Sequence, residues 1–394
     1  MIDAEHREGV NGASETAPGG AVFAEPHALD RPRARLRWLF ARPDGEPAWF
    51  ENGWLPPGQR MLYARARQGL FAALEGIDRE GPVLVPAYIP GGVTWAAMAA
   101  GFDVRYYPVT SELSLPVEAV TERIETLDPA AMVFVHYFGF ADEAFPELAA
   151  RAAERAVIVV EDCARGLFSR DHAGRLLGST GDVAMYCLHK TLPVPNGGLI
   201  VTRHADLEVP GERAPEWRVL PRIAALSLAR RARIPLDPAP SVDPAEEIPL
   251  SSVEPRRPVS RPGTVTERGL AWCDPVTVRE TRRQRYRQLR ESLSDVSGLR
   301  IVSPALNDGA SPFGVVALAE SSETRAAILG ALRRRGLPCD VLTWPPVHDA
   351  GDSDTLQSAR VLRERLMVFP THQQLSPAAV DRVAAVVAET VDSP

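Results

Sequence analysis

Short runs of uniformly apolar residues recur through the first half of the chain, and segments with helical periodicity lie beside them. Six runs predict strands, at residues 83–86, 103–107, 132–135, 157–160, 183–188 and 198–202. Four segments predict helices, at residues 61–74, 94–100, 117–127 and 144–155. Strands that lack polar alternation are buried on both faces, so the pattern predicts an α/β fold with a mostly parallel sheet covered by helices.

The second half of the chain carries a shorter version of this pattern after a break rich in proline. Residues 235–262 contain eight prolines, a density that interrupts regular structure and indicates a long connector. Helices are predicted at 277–293, 324–335 and 377–389, and strands at 299–302 and 314–318. We therefore expect a mobile tail at 1–30, a large domain at 31–262 that includes the connector, and a smaller α/β domain at 263–394.

Charge and cysteine usage narrow the class of protein. The formal net charge is −7, and most of the acidic excess lies in the first 30 residues, so no basic stripe indicates nucleic acid or an anionic membrane as a partner. No run of about 18 uncharged apolar residues predicts a membrane-spanning helix, and the first residues lack the apolar core of a signal peptide. The four cysteines form no C-x-x-C pair, so neither a disulfide framework nor a metal site is indicated. We expect a cytoplasmic protein.

Lysine is almost absent from the chain. Of the 44 basic residues, Lys190 is the only lysine. Arginine can replace lysine at most solvated positions, but a guanidinium stays charged and cannot lose a proton to attack a carbonyl. Two interpretations follow: Lys190 carries chemistry that needs a neutral amine, or it is a chance survivor of a codon bias.

Polar side chains gather where three of the predicted strands end. Glu161 and Asp162 follow the strand at 157–160, a His-Tyr-Phe-Gly segment that begins at His136 follows the strand at 132–135, and Lys190 follows the strand at 183–188. Ligands of open α/β sheets bind beyond the carboxyl ends of the strands. These residues therefore either share a ligand site or form a plain ion pair.

The motifs around Lys190 are similar in order and spacing to those of one enzyme family. Asp162 lies 28 residues before Lys190 in a segment that resembles an "EDAA" strand end, and residues 174–182 resemble a "G-x-x-x-G-S-x-G-D" hairpin. Gly197-Gly198 matches a glycine pair beyond the lysine. Weaker matches follow the same order at residues 85–101, 135–139 and 369–376. On these motifs the chain resembles the DegT/DnrJ/StrS family, the sugar aminotransferases of fold type I, from about residue 59 to 390.

The resemblance implies a large domain with a seven-stranded, mostly parallel sheet and a smaller C-terminal α/β domain. It implies pyridoxal 5′-phosphate (PLP) as cofactor, with Lys190 as the catalytic residue that bonds to PLP and moves a proton, and with Asp162 paired to the ring nitrogen. A helix N-terminus would hold the phosphate. The other implied cofactor-binding residues are Ala66, Arg67 and Gln68 at that helix start, and Tyr88, His136, Arg165 and Cys187.

Several positions that would contact PLP depart from the family pattern. Ala66 and Arg67 replace a Gly-Thr pair, and Arg67 would contribute a guanidinium to phosphate binding or lie on a solvated face. Arg165 stands where the family often has His or Gln. Met185 stands where it usually has a phosphate-binding Ser, which leaves Cys187 as the better hydrogen-bonding candidate.

The substrate-facing positions diverge further. Pro90 occupies the slot of the aromatic residue that stacks on the PLP ring, so Tyr88 or Trp95 would stack there, or nothing does. Trp344 either edges the substrate pocket or packs within a loop. The G-x-N-x-R motif that the family contributes from a partner subunit is not visible. The arginines near its expected place are Arg256, Arg257 and Arg261.

Three functions remain open on the sequence. The first is a PLP-dependent aminotransferase; the resemblance implies a nucleotide-linked keto-sugar as acceptor, glutamate as donor, polysaccharide or natural-product biosynthesis as pathway, and a homodimer with sites at the interface. The second is a PLP-dependent sugar dehydratase, which Lys190 opposes because that branch has histidine in place of the lysine. The third is a non-catalytic relative with a binding or regulatory role, which the divergent positions favour and the retained lysine opposes.

Overall fold

The computed structural model describes residues 46–203, 210–213, 259–339, 342, 344 and 353–392. Its strands are β1 Gln59–Tyr63, β2 Val83–Pro86, β3 Val104–Tyr107, β4 Ala131–Val135, β5 Ile158–Asp162, β6 Val183–Cys187, β7 Gly198–Thr202, β8 Glu212–Arg213, β9 Ser260–Arg261, β10 Leu299–Ile301, β11 Gly314–Ala319 and β12 Leu366–Pro370. Its α-helices are Ala48–Glu51, Ala66–Glu75, Gly91–Ala99, Val117–Leu127, Phe145–Glu154, Leu188–Thr191, Thr264–Ala271, Pro275–Leu293, Ser322–Arg334, Ser353–Arg365 and Pro377–Asp392. Within these ranges every helix is too short or too polar to cross a lipid bilayer. The predicted tail and most of the predicted connector lie outside the described residues.

Seven strands form the central sheet, in the order β1-β7-β6-β5-β4-β2-β3. The strands from β3 to β6 in this order run parallel, whereas β7 is antiparallel to β6 and β1 is antiparallel to β7. The carboxyl ends of β4, β5 and β6 therefore meet at one edge, where the chain turns through Leu188–Thr191 before it returns in β7. The predicted α/β class with a mostly parallel sheet is confirmed.

Apolar side chains fill both faces of this sheet. Val85 and Val160 pack in one hydrophobic cluster and their chain neighbours Leu84 and Val159 pack in another, because successive side chains of a strand point to opposite faces. Four strands, β2, β5, β6 and β7, are buried at every position. Helices cover both faces, which is why these strands show no polar alternation in the sequence.

One predicted helix begins too early. Residues 59–63 form β1 instead of leading into a helix at 61–74, and the helix begins at Ala66. The strand pairs with β7, so that Tyr63 lies opposite Gly198. Three consecutive apolar residues suit a buried helix or a strand equally well, and the pairing partner lies too far along the chain for local periodicity to indicate it.

A second, antiparallel sheet has the strand order β10-β11-β12. The hydrophobic pattern predicted β10 and β11 but missed β12 and the helices Thr264–Ala271 and Ser353–Arg365. Val316 and Val368 of this sheet share a hydrophobic cluster with Phe134 of the large sheet. The two sheets thus pack on a common core, and the domain boundary at 262/263 stays a prediction.

Candidate active site

Glu161, near the end of β5, is the centre of a buried hydrogen-bond network. Its Oε2 accepts from Gly178 N at 2.7 Å and lies 2.7 Å from His136 Nε2. Its Oε1 accepts from Thr180 N at 2.7 Å and Gly181 N at 2.5 Å. Burial alone would raise the pKa of Glu161, but the hydrogen bond from His136 and those from the backbone hold it below its ordinary value. Glu161 is therefore an ionised anchor that fixes the glycine-rich hairpin and His136.

We expect Glu161→Gln to lower the free energy of unfolding by about 3 kcal/mol at neutral pH, because an amide NH₂ would face backbone donors in place of a charged acceptor. The folded pKa lies below the ordinary value of 4.5, so the stabilisation is present above that pH and is lost as the pH falls through the folded pKa. Urea unfolding of both proteins between pH 7 and acid checks this. The gap between them should narrow in acid, and a gap that widens would contradict the assignment.

Asp162, the next residue, lies at the same edge of the sheet but accepts fewer hydrogen bonds than Glu161. It is 3% exposed, and its Oδ1 accepts from Ala164 N at 2.8 Å. Burial raises its pKa, and the charges of Lys190 and Arg165 and the Ala164 hydrogen bond offset only part of that effect. No residue in the described ranges donates a hydrogen bond to Oδ2. Asp162 thus offers a buried acceptor that would gain from a cationic N–H donor.

Lys190 lies in the short helix Leu188–Thr191 that follows β6, and its side chain is partly buried. The carbonyl of the next residue, Thr191, accepts from Gln373 Nε2 at 3.0 Å and from Arg282 Nη2 at 3.3 Å. Arg282 is 1% exposed and also donates to Pro312 O at 3.3 Å. Residues from beyond the large sheet therefore fix the backbone that carries Lys190.

The glycine pair beyond Lys190 has a steric reason. A Cβ on Gly198 would lie 2.2 Å from the Ala66 nitrogen, so only glycine lets the helix Ala66–Glu75 begin directly against β7. Gly197 has φ +123°, a conformation that favours glycine. The pair places the N-terminus of this helix at the sheet edge, where the backbone N–H of Gln68 donates to Arg65 O at 3.0 Å.

The three residues expected at that helix start differ in exposure. Ala66 is buried, and Gln68 has a buried Oε1 without a hydrogen-bond partner in the described structure. Arg67 is exposed, and its guanidinium lies 5.6 Å from the ring centroid of Trp95. Phosphate binding by these residues stays a prediction, and the stacking on Trp95 shows where the Arg67 side chain rests.

Asp162 opens into a small cleft between β4, β5 and the side chain of Trp344. His136 and Arg165 line it together with Asp162, so the structure brings three expected site residues to one place. The complete lining is Pro90, Val135, His136, Tyr137, Phe138, Asp162, Ala164, Arg165 and Trp344. The other expected site residues are not among these lining residues: Ala66, Arg67, Gln68, Tyr88, Cys187 and Lys190.

Neither aromatic residue that the sequence offered for stacking on the PLP ring, Tyr88 or Trp95, lines the cleft. Tyr88 is buried, donates its hydroxyl to Leu342 O at 2.8 Å, and packs its ring 4.4 Å from that of Trp344. Trp95 packs against Phe71 and Arg67 instead of lining the cleft. Trp344 borders the cleft itself, which favours the pocket interpretation over loop packing alone.

Two further residues lie near the site, Cys187 at the end of β6 and Phe138 in the wall of the cleft. The thiol of Cys187 lies 3.5 Å from His189 Nδ1. Phe138, three residues after the end of β4, adopts φ 57° and ψ 22°, a left-handed conformation that aromatic residues seldom adopt. Such backbone strain is often found at functional sites.

Sequence reasoning missed Arg282 and Gln373. Arg282 falls on the apolar stripe of its helix, four residues after buried Val278 and four before buried Tyr286. That spacing marks an arginine as buried and was available in the sequence. Gln373 carries no comparable signal.

A lysine at the turn between β6 and β7, a buried carboxylate at the end of β5 and a helix N-terminus lie at one edge of a mostly parallel sheet, the arrangement expected of a PLP-dependent aminotransferase. A model of the DegT/DnrJ/EryC1/StrS aminotransferase family matches residues 66–209 and 276–388. The chain belongs to this family, and the resemblance inferred from its motifs is confirmed.

Individual relatives are distant in sequence. Protein Rv3402c of Mycobacterium tuberculosis is 24% identical over 354 residues, which cover 84% of this chain and 79% of that protein. Helicobacter pylori PseC, an aminotransferase involved in the biosynthesis of pseudoaminic acid, is 14% identical with a TM-score of 0.68 over 95% of this chain and all of that one. DesI, solved in the presence of its TDP-sugar product, is 18% identical with a TM-score of 0.63 over 95% of this chain and 93% of that one.

The family depends on PLP, and the described residues fit this cofactor. Lys190 offers the required primary amine, the Asp162 carboxylate is an acceptor for a ring N–H, and Gly198 lets a helix begin against β7 with its N-terminus at the same edge of the sheet.

Proposed function

We propose that this protein transfers an amino group from glutamate to a keto-sugar linked to a nucleotide, in polysaccharide or natural-product biosynthesis. The observation that carries the proposal is the placement of the only lysine of the chain and the buried carboxylate of Asp162 at the carboxyl ends of neighbouring strands, β6 and β5. The TDP-sugar product of the structural relative DesI supports the choice of acceptor. The small-molecule class of the substrate follows from the family.

The proposed cofactor contacts are those that the family resemblance implies, and the position of these residues at one edge of the sheet supports them. Lys190 would bond to PLP, Asp162 would pair with the ring nitrogen, and the backbone N–H groups at Arg67 and Gln68 would bind the phosphate. When bound, PLP supplies an electron sink that stabilises negative charge at the carbon that carries the amino group. Cofactor binding by Tyr88 and Cys187 stays a prediction from the resemblance, since Tyr88 packs on Trp344 and the Cys187 thiol lies beside His189.

The side chains of this chain then have distinct tasks. The Lys190 amine would take a proton from the amino-bearing carbon and return it elsewhere, because an amine, unlike a guanidinium, can act as a neutral base. Asp162 stays ionised against a cationic ring nitrogen. The backbone N–H of His136 donates to the backbone carbonyl of Asp162 at 3.1 Å, and Glu161 bonds to the His136 ring. These two contacts hold the end of β5 in place.

Two further features belong to the proposal. The family resemblance favours a homodimer with the sites at the interface. Cytoplasmic location is supported by the four cysteines, all of them free thiols, because a reducing compartment keeps cysteines unpaired.

The proposal is tested by incubating the PLP-loaded protein with glutamate and a TDP-linked 4-keto-6-deoxyhexose. We expect 2-oxoglutarate and the aminated sugar nucleotide to form in equal amounts, measured by mass spectrometry. Loss of water from the sugar without glutamate would favour the dehydratase. Bound PLP with no conversion of any keto-sugar would favour the non-catalytic relative.

A further inference from the structure

Arg165 lies three residues after Asp162, in the loop that follows β5, and lines the same cleft. Asp162 lines this cleft too, and the charge of Arg165 lowers the pKa of its carboxyl. We propose that Arg165 binds a carboxylate of a substrate in this cleft, and so selects a substrate that carries this group beside the reacting carbon. This inference rests on the proposed aminotransferase function and names the chemistry that the site recognises.

Three aromatic rings hold the guanidinium of Arg165. Its Cζ lies 5.1 Å from the centroid of Phe313, 5.6 Å from Trp344 and 5.8 Å from Phe138. A guanidinium that stacks on aromatic faces keeps its N–H donors free at the edge of its plane. The rings therefore fix the position of the cation without using its hydrogen bonds.

The donors of Arg165 have no acceptor in the described part of the chain. Its Nε is buried without a hydrogen-bond partner, and no carboxylate there lies within ion-pair distance of it. The buried Arg283 contrasts with it, since Arg283 donates to Asn307 O at 2.7 Å and Ala310 O at 2.9 Å. A guanidinium carries five donors and never loses its charge, so unpaired donors in a cleft favour an anionic ligand.

The ligand chemistry that matches these donors is a carboxylate. The planar fork of a guanidinium matches the two oxygens of a carboxylate. The other polar side chains of the lining do not compete for an anion. His136 bonds to Glu161, and Asp162 is itself an acid. An amino acid donor places a carboxylate one bond from the reacting carbon, and an acidic keto-sugar would present one farther away.

The test measures binding and not turnover. The PLP-loaded protein is titrated by calorimetry with glutarate, which resembles the donor without its amino group, and with galacturonate, which resembles an acidic sugar. Arg165→Gln is compared with Arg333→Gln, an equal change of charge at an exposed position of the helix Ser322–Arg334. Arg165→Lys keeps the charge without the fork.

We expect Arg165→Gln to weaken glutarate binding by about tenfold or more, Arg165→Lys to restore part of it, and Arg333→Gln to leave it unchanged. Weakened binding of galacturonate alone would also support the proposal and would assign the carboxylate to the acceptor. Unchanged affinity for both probes, or no binding of either to the wild type, would overturn it. Lost PLP absorbance in Arg165→Gln with unchanged glutarate affinity would make Arg165 a cofactor residue instead. Absence of PLP from the wild type would be a failure of the proposed function, which the absorbance spectrum shows separately.

Discussion

Lys190→Ala is expected to abolish amino transfer, with a loss of about 10⁴-fold or more, because the variant lacks both the amine that bonds to PLP and the base that moves the proton. No other lysine exists in the chain to take over. The surrounding structure should survive, since Lys190 is only partly buried and the Thr191 carbonyl keeps its bonds to Gln373 and Arg282. Activity and PLP absorbance of the two proteins measure the effect.

The single lysine also makes the covalent test unambiguous. Borohydride reduction of the PLP-loaded wild type should place one PLP-derived mass increment per chain on the peptide that contains Lys190. Lys190→Arg is the matched control, because it keeps the positive charge near Asp162 and removes only the ability to act as a neutral amine. A label found on the N-terminal amine alone, or wild-type rates in either variant, would refute the assignment.

The sheet and most of its bounds were predictable because burial on both faces leaves an unbroken apolar run. Residues 117–127 and 198–202 match the predicted element bounds at both ends. β1 and β12 were not predictable from local pattern, since each is defined by a partner strand far away in the sequence. Propensity is a weak guide where such pairing decides the structure.

The site was predictable to the extent that its residues sit at strand ends. Asp162 and Lys190 follow strands whose carboxyl ends meet at one edge, so their proximity follows from the topology. The cleft wall was not predictable in the same way, because Trp344 and Phe313 arrive from beyond the large sheet. Arg165 was visible as a departure from the family pattern, but only the structure shows that its donors lack an acceptor.

Asp162→Asn is expected to separate stability from function. The variant keeps an oxygen that can accept from Ala164 N but removes the buried charge. It should lower amino transfer by about 10²- to 10³-fold, the scale on which loss of one aligned electrostatic partner acts. The reason is that a neutral amide does not favour a protonated ring nitrogen, so the cofactor becomes a poorer electron sink.

The same variant should be more stable than the wild type in the absence of PLP, by about 1 kcal/mol at neutral pH. Burial raises the pKa of Asp162 above its ordinary 3.8, so the ionised carboxylate destabilises the folded chain at every pH above the folded pKa. As the pH falls through that pKa the wild type takes up a proton and the difference should close. Thermal unfolding across this range measures the gap, with Asp381→Asn on the helix Pro377–Asp392 as the control for loss of one carboxylate. If the PLP-free Asp162→Asn protein is less stable than the wild type at neutral pH, Asp162 stabilises the fold and the expectation is wrong. If the variant is more stable and less active, the chain carries a destabilising buried charge because the reaction needs it.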